Sequence, residues 1–300
     1  EEGVHILVLC SRAGGGLPQW NCGGEYSMRA RRGDPHCPPR SQPSIALSAD
    51  GRRWSIVNAS PDIRDQLARF PGLYPREGTR DIPLDTVVVT NADLDHTMGL
   101  LVLREALPYR IVTTPWVRDA ILENNAAWRL LEPAWGVAKL DREFPLDGDG
   151  HLVARFFPVP GKVPGYLTGL ASNDPEATVG LRVTDTRTGR RLVYAAGIKA
   201  LDDATLAELA NAHCRFVDGT FWSARELLGM RPGAPDAHAM GHLPIGGPDG
   251  SLARIARLPG RSLYIHINNT NPILDSESAQ AREVREAGVE IAYDGMELAL

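Results

Sequence analysis

Apolar residues in this chain come in short, strand-length runs broken by glycine, proline or aspartate, with helix-period segments between them. The runs predict strands over residues 5–9, 44–48, 54–58, 87–89, 109–113, 153–158, 179–184, 191–194, 214–218 and 262–266. Residues 289–292 are predicted to end the sheet region. The Asp50-Gly51 pair between the second and third runs is a hairpin signal. The β-branched run at 87–89 is what a strand covered on both faces needs. Helical periodicity predicts helices over 63–69, 115–124, 203–212, 251–257 and 279–287, the first behind a Ser60-Pro61-Asp62 cap with proline in its first turn. Residues 19–42 read as a long polar loop, and their basic run, 29–32, as solvated. Hairpin signals dominate the first half and strand–helix alternation the second, with no internal repeat. This pattern predicts an α/β sandwich, mixed sheets inside and helices outside, rather than a Rossmann fold, in one domain spanning 1–300.

Composition adds exclusions. With 300 residues, 43% hydrophobic and 23% charged, there is ample material for a core. A net charge of −5 without a compensating basic face argues against a nucleic-acid partner. The longest apolar runs are too short for a membrane span, and nothing resembles a signal peptide. Four scattered cysteines do not make a disulfide framework, so a reduced, cytoplasmic protein is expected. The chain starts Glu1-Glu2 without methionine, and some sequence is expected to precede it.

The chemistry concentrates after the predicted strand at 87–89, where the chain reads T-N-A-D-L-D-H-T-M-G-L-L. Asp95 and His96 could form a loop-stabilising pair with the aspartate capping the next helix. The addition of Asp93 puts three acceptor-rich side chains in four residues, which calls for a counter-charge such as a divalent metal. His266 ends another apolar run, in L-Y-I-H-I-N-N-T-N-P. It reads as a core histidine or, if the two strand ends converge, as a further ligand. His242, in a Gly/Pro-flanked loop, could be a proton donor, a substrate contact or plain surface. Asp218 could orient His242 or another ligand, or simply turn the chain beside Gly219. The glycines at 14–16 lack a Walker lysine and the G-x-G-x-x-G spacing, which rejects a nucleotide site. The loop P-G-K-V-P-G-Y at 160–166 carries one lysine that could face an anionic substrate. Cys22, His36 and Cys37 would suit a structural zinc, although the gap from Cys22 to His36 is long and no fourth ligand is evident.

Eight segments together resemble the pyrroloquinoline quinone biosynthesis protein B family along the whole chain. They are A-G-G-G-L-P-Q-W-N-C (13–22), S-I-A-L-S-A-D-G (44–51), N-A-S-P-D-I-R (58–64), D-H-T-M-G-L-L (95–101), P-G-K-V-P (160–164), D-G-T-F-W (218–222), M-G-H-L-P-I (240–245) and I-H-I-N-N-T-N-P-I-L (265–274). The resemblance implies a metallo-β-lactamase αββα sandwich with two mixed β-sheets. It implies an iron-dependent, oxygenase-like hydroxylation of a tyrosine-derived residue on the way to the quinone cofactor. It further implies that Asp95, His96 and His266 hold the metal with Asp93 beside them, and that His242 and Asp218 line the site. The N-x-D-x-D-H spacing lies on that fold's H-x-H-x-D-H signature, with Asn91 and Asp93 where two histidines would stand. Half of a two-metal hydrolytic site is thereby weakened. What remains, two histidines and a carboxylate, is the ligand set of non-haem iron(II) oxygenases, one Fe(II) per chain. The expected partners are a tyrosine-derived small molecule or peptide and dioxygen, with a homodimer admitted; metal-dependent peptide or ester hydrolysis, or non-catalytic quinone carriage, are the alternatives. The family's C-x-C-x-x-C cluster, which looks like a zinc knuckle, is reduced here to Cys22 alone.

Overall fold

A computed structural model describes residues 3–105, 109–169 and 174–300. The first strands, β1 (His5–Cys10), β2 (Ser44–Ser48) and β3 (Trp54–Val57), form an antiparallel meander. β4 (Leu84–Val88), β5 (Arg110–Thr113) and β6 (Trp135–Val137) extend it in parallel. A second sheet repeats the plan. β7 (Glu143–Pro145), β8 (Leu152–Pro158), β9 (Val179–Asp185) and β10 (Arg191–Ala195) run antiparallel, then β11 (Cys214–Asp218), β12 (Arg261–Ile265) and β13 (Glu290–Ile291) run parallel. Antiparallel neighbours need only tight turns, whereas each parallel pair needs a crossover. Most crossovers here carry helices. α1 (Glu25–Arg31) lies between β1 and β2, α2 (Ile63–Arg69) between β3 and β4, α3 (Leu94–Val102) between β4 and β5, and α4 (Pro115–Asn124) between β5 and β6. α5 (Asp203–Ala210), α6 (Ser251–Ile255) and α7 (Ala279–Glu286) serve the second sheet.

The alternation of the strands makes three apolar layers. Ile6, Val8, Ile45, Leu47 and Val88 of the first sheet meet Phe156, Leu181, Tyr194, Phe216 and Leu263 of the second. Leu7, Leu9, Ile56, Val87 and Ile111 face outward onto Leu100, Val117 and Ile121 of α3 and α4. Val193, Val217 and Tyr264 face outward onto Leu209, Leu252, Ile255 and Val284 of α5 to α7. Two mixed sheets flanked by helices on both sides are the predicted sandwich.

Several elements differ from the expectation. Residues 289–292 do not end the sheets: β14 (Glu297–Ala299) crosses over and pairs antiparallel with β1. Hairpins and parallel crossovers are shared by both halves. The polar loop at 19–42 contains α1, whose apolar face is too narrow to give a period. Its basic run is pinned: Arg29 pairs with Asp34 at 2.7 Å and Asp275 at 2.8 Å, and Arg31 donates to the Cys22 and Gln19 carbonyls. Pro61 lies just ahead of α2 rather than in its first turn, while the Ser60 hydroxyl accepts from the Asp62 amide.

Candidate metal centre

The parallel strands of both sheets deliver their C-terminal ends to one rim, as open α/β sheets do. After β4 the chain turns at Asn91 and enters α3, with Asp93 at the N-cap position and Asp95 and His96 in the first turn rather than in a loop. Backbone bonds hold this turn: the Ala59 amide donates to the His96 carbonyl and the Gly99 amide to the Ala59 carbonyl. In the second sheet Asp218 pairs in register with Ile265, so β11 ends on Asp218 beside His266. His266 has a φ of 62°, a conformation a non-glycine residue adopts only when its surroundings impose it.

Three donor atoms meet here. Asp95 Oδ2 lies 3.3 Å from His266 Nε2 and 3.7 Å from His96 Nε2, and the rings of His96 and His266 stand edge to face. His96 Nε2 is buried and has no hydrogen-bond partner. Such an atom is costly to leave unsatisfied. The other nitrogen of each ring is engaged. His96 Nδ1–H donates to Asn91 Oδ1 at 2.6 Å, and His266 Nδ1–H donates to Thr220 Oγ1 at 2.8 Å, because the Thr220 hydroxyl proton goes to Asp218 Oδ1 at 2.6 Å. Both Nε2 lone pairs therefore face Asp95, the tautomer a metal-binding imidazole takes. The residues fit a divalent ion: a carboxylate oxygen, a buried orphan nitrogen and a second oriented imidazole.

Electrostatics agree. Burial, with His266 and His242 nearby, pushes the His96 pKa down to about 4, so the ring is neutral. Burial opposes charge on Asp95, yet the positive charge that His96 and His266 carry at acid pH outweighs it and holds this carboxyl well below its ordinary value. Burial and the adjacent Asp95 push Asp93 up to about 7.

Asp218, His242 and His266 form a second group of close donors. Asp218 is saturated, however. It accepts from His242 Nδ1–H at 2.7 Å, the Ile198 amide, and the Thr220 amide and hydroxyl. It orients His242, whose ring stacks on His266 with centroids 5.3 Å apart. His242, Asp93 and the three donors line a cavity of about 470 Å³, with Val163, Tyr166 and Phe221 among its walls.

Asp93 lines the cavity but belongs to neither close-donor group among the described residues. Cys22, His36 and Cys37 are not brought together as a three-donor group. Cys37 is buried and its thiol donates to the Tyr26 carbonyl, while exposed His36 bonds to Ser276. Three soft side chains in one loop need not point at one place, and the structural zinc, doubtful for want of a fourth ligand, gains no support from this geometry. Two residues the sequence reading passed over, Asn91 as a partner and Thr220, set both ring orientations. Neither carries a signature beyond its place in a motif.

The chain matches the model of the β-lactamase superfamily domain over residues 53–267. It is 40% identical over 305 residues to coenzyme PQQ synthesis protein B of Pseudomonas paraeruginosa (strain DSM 24068 / PA7), covering 99% of this chain and all of that protein. To the protein of the same name from Ruegeria pomeroyi (strain ATCC 700808 / DSM 15171 / DSS-3) it is 42% identical over 303 residues, again 99% of this chain and all of that one. The crystal structure of zinc-bound PqqB from Methylobacterium extorquens superposes with a TM-score of 0.92 at 36% identity, covering 99% and 100% of the two chains. A diphosphatase of the PhnP family shares the fold at a TM-score of 0.67 and 17% identity, over 99% and 97%.

Proposed function

This chain belongs to the coenzyme PQQ synthesis protein B family of the β-lactamase superfamily, and from that membership we propose that it serves PQQ synthesis as a mononuclear non-haem iron(II), dioxygen-dependent hydroxylase of a tyrosine-derived amino acid or peptide. The observation that carries this reading is the donor set Asp95, His96 and His266, two imidazoles and one carboxylate on one side of a substrate-sized cavity. Iron(II) held by these three residues supplies one-electron chemistry with dioxygen. The protein's own groups supply the rest. His242, its Nδ1–H fixed on Asp218, keeps Nε2 free to take a phenolic proton, and Asp218 stabilises the imidazolium that results. Asp93 stands beside the donors as a further acceptor. Val163, Tyr166 and Phe221 wall the cavity and limit water around the reacting ring.

One observation favours a hydrolytic reading, the zinc in the Methylobacterium protein. A single experiment separates the two. The protein is purified anaerobically, loaded with iron(II), assayed for metal content, and followed for oxygen uptake with tyrosine-containing amino acids and peptides. One iron per chain and substrate-triggered uptake, both lost in Asp95→Ala and His266→Ala, is the expected result. Retained zinc with oxygen-independent cleavage makes the protein a hydrolase, and tight product binding without turnover makes it a carrier.

A further inference from the structure

The cavity beside the donor cluster has an electrostatic problem of its own. Asp93 and Asp95 both line it, and an entering carboxylate meets two acids in a partly desolvated space. A metal ion answers for the charge around Asp95, His96 and His266. It does not serve a carboxylate lying elsewhere in the cavity. Among the lining residues, Lys162 is the single lysine or arginine. The chain has only three lysines, all at positions 139, 162 and 199, against a large excess of arginine.

The backbone of Lys162 is held while its ammonium is not. The Lys199 amide donates to the Pro160 carbonyl at 2.7 Å, the Thr178 hydroxyl donates to the Lys162 carbonyl, and Tyr166 Oη donates to the Ala92 carbonyl at 2.7 Å, tying this loop to the strand end that carries Asp93. Gly241, with a φ of 87°, packs so close that a Cβ there would come within 2.9 Å of Lys162 Cβ, fixing the root of the side chain next to His242. Beyond that root the side chain is exposed, and no ion pair among the described residues includes it. An ordinary surface lysine has no such anchored root beside a site. A compact ammonium on a flexible stem, left without an internal partner, is suited to an anion that comes and goes.

Resting on the reading that the substrate is a tyrosine-derived amino acid or peptide, we propose that Lys162 determines specificity by receiving a carboxylate of that substrate, so that the aromatic ring is turned toward the donor cluster. The lysine stays protonated throughout and exchanges no proton with the substrate.

The test is binding, read apart from turnover. Zinc-loaded protein is titrated calorimetrically with L-tyrosine and glycyl-L-tyrosine and with their methyl esters, which keep the ring and lose the charge. Wild type is expected to bind the acids about tenfold more tightly than the esters, a preference that shrinks as salt rises. Lys162→Met is expected to lower affinity for the acids to that for the esters, with ester affinity and zinc content unchanged, and Lys162→Arg to restore part of the preference. The proposal is overturned if wild type does not prefer the acids, or if Lys162→Met keeps the wild-type preference. A lysine-dependent acid preference without oxygen uptake would leave this assignment standing and remove the oxygenase reading.

Discussion

The Thr220 hydroxyl has one proton and three neighbours. It gives the proton to Asp218 and accepts from the Nδ1–H of His266 at 2.8 Å, while His242 Nδ1, whose own proton is on Asp218, lies 3.1 Å away. This one oxygen orients the His266 ring directly and fixes Asp218, which orients the His242 ring. Thr220→Val keeps the shape but leaves His266 Nδ1–H without its acceptor, and affinity for zinc should fall about 10- to 100-fold, measured by competition with a chromophoric chelator. Thr220→Ser should restore most of it, which a packing role for the methyl group would not allow. The chemistry at this scale was legible only where it has a signature. Asp95, His96 and His266 stood out because charged or imidazole groups ending buried apolar runs must be compensated. Thr220 and Asn91 were not legible as ring partners, because a hydroxyl or amide near a strand end more often just closes a turn. The Cys22, His36 and Cys37 group, doubtful already for its long gap and missing fourth ligand, shows that closeness in sequence within a loop says nothing about where side chains point.

Helix α3 carries two of the three donors, and its position depends on a contact with no side chain in it. A Cβ at Gly99 would lie 2.3 Å from the Ser60 carbonyl oxygen and 2.7 Å from the Ala59 carbonyl carbon. The helix rests on the backbone of 59–60, with the Gly99 amide bonded to the Ala59 carbonyl. Gly99→Ala must push α3 away, moving Asp95 and His96 with it. A cost of about 1–3 kcal/mol is expected, seen as a fall in Tm of several degrees, together with weaker metal binding. Zinc affinity unchanged in the variant would show that the first turn of α3 does not move with the rest. Most elements were legible because strands covered on both faces need unbroken apolar runs, as at Val87 and Val88. The missed ones lack that requirement. β6, β7 and β14 are three-residue edge pieces with little buried surface, and α1 buries only Ser27 and Ala30. β14 is placed by pairing with β1 at the other end of the chain, which local pattern cannot encode.

The two sheets are joined at the rim by the donors themselves. Asp95 and His96 follow β4 of the first sheet, and His266 follows β12 of the second, with 169 positions between His96 and His266. An ion bound to all three spans the interface between the sheets and adds to the apolar packing and hydrogen bonds already there. In the unfolded chain these donors are too far apart in sequence to form one site, so the ion binds the native state almost alone. Mass action then converts affinity into stability, about 2.7 kcal/mol at a hundredfold excess of free metal over Kd. Adding zinc, or iron(II) under anaerobic conditions, should therefore raise the Tm of wild type in a concentration-dependent way. His266→Ala severs the link to the second sheet while leaving Asp95 and His96 in place, and most of that increase should vanish. If the variant is stabilised as much as wild type, the ion sits wholly on the β4 side, and the convergence of the two strand ends serves the cavity rather than the metal.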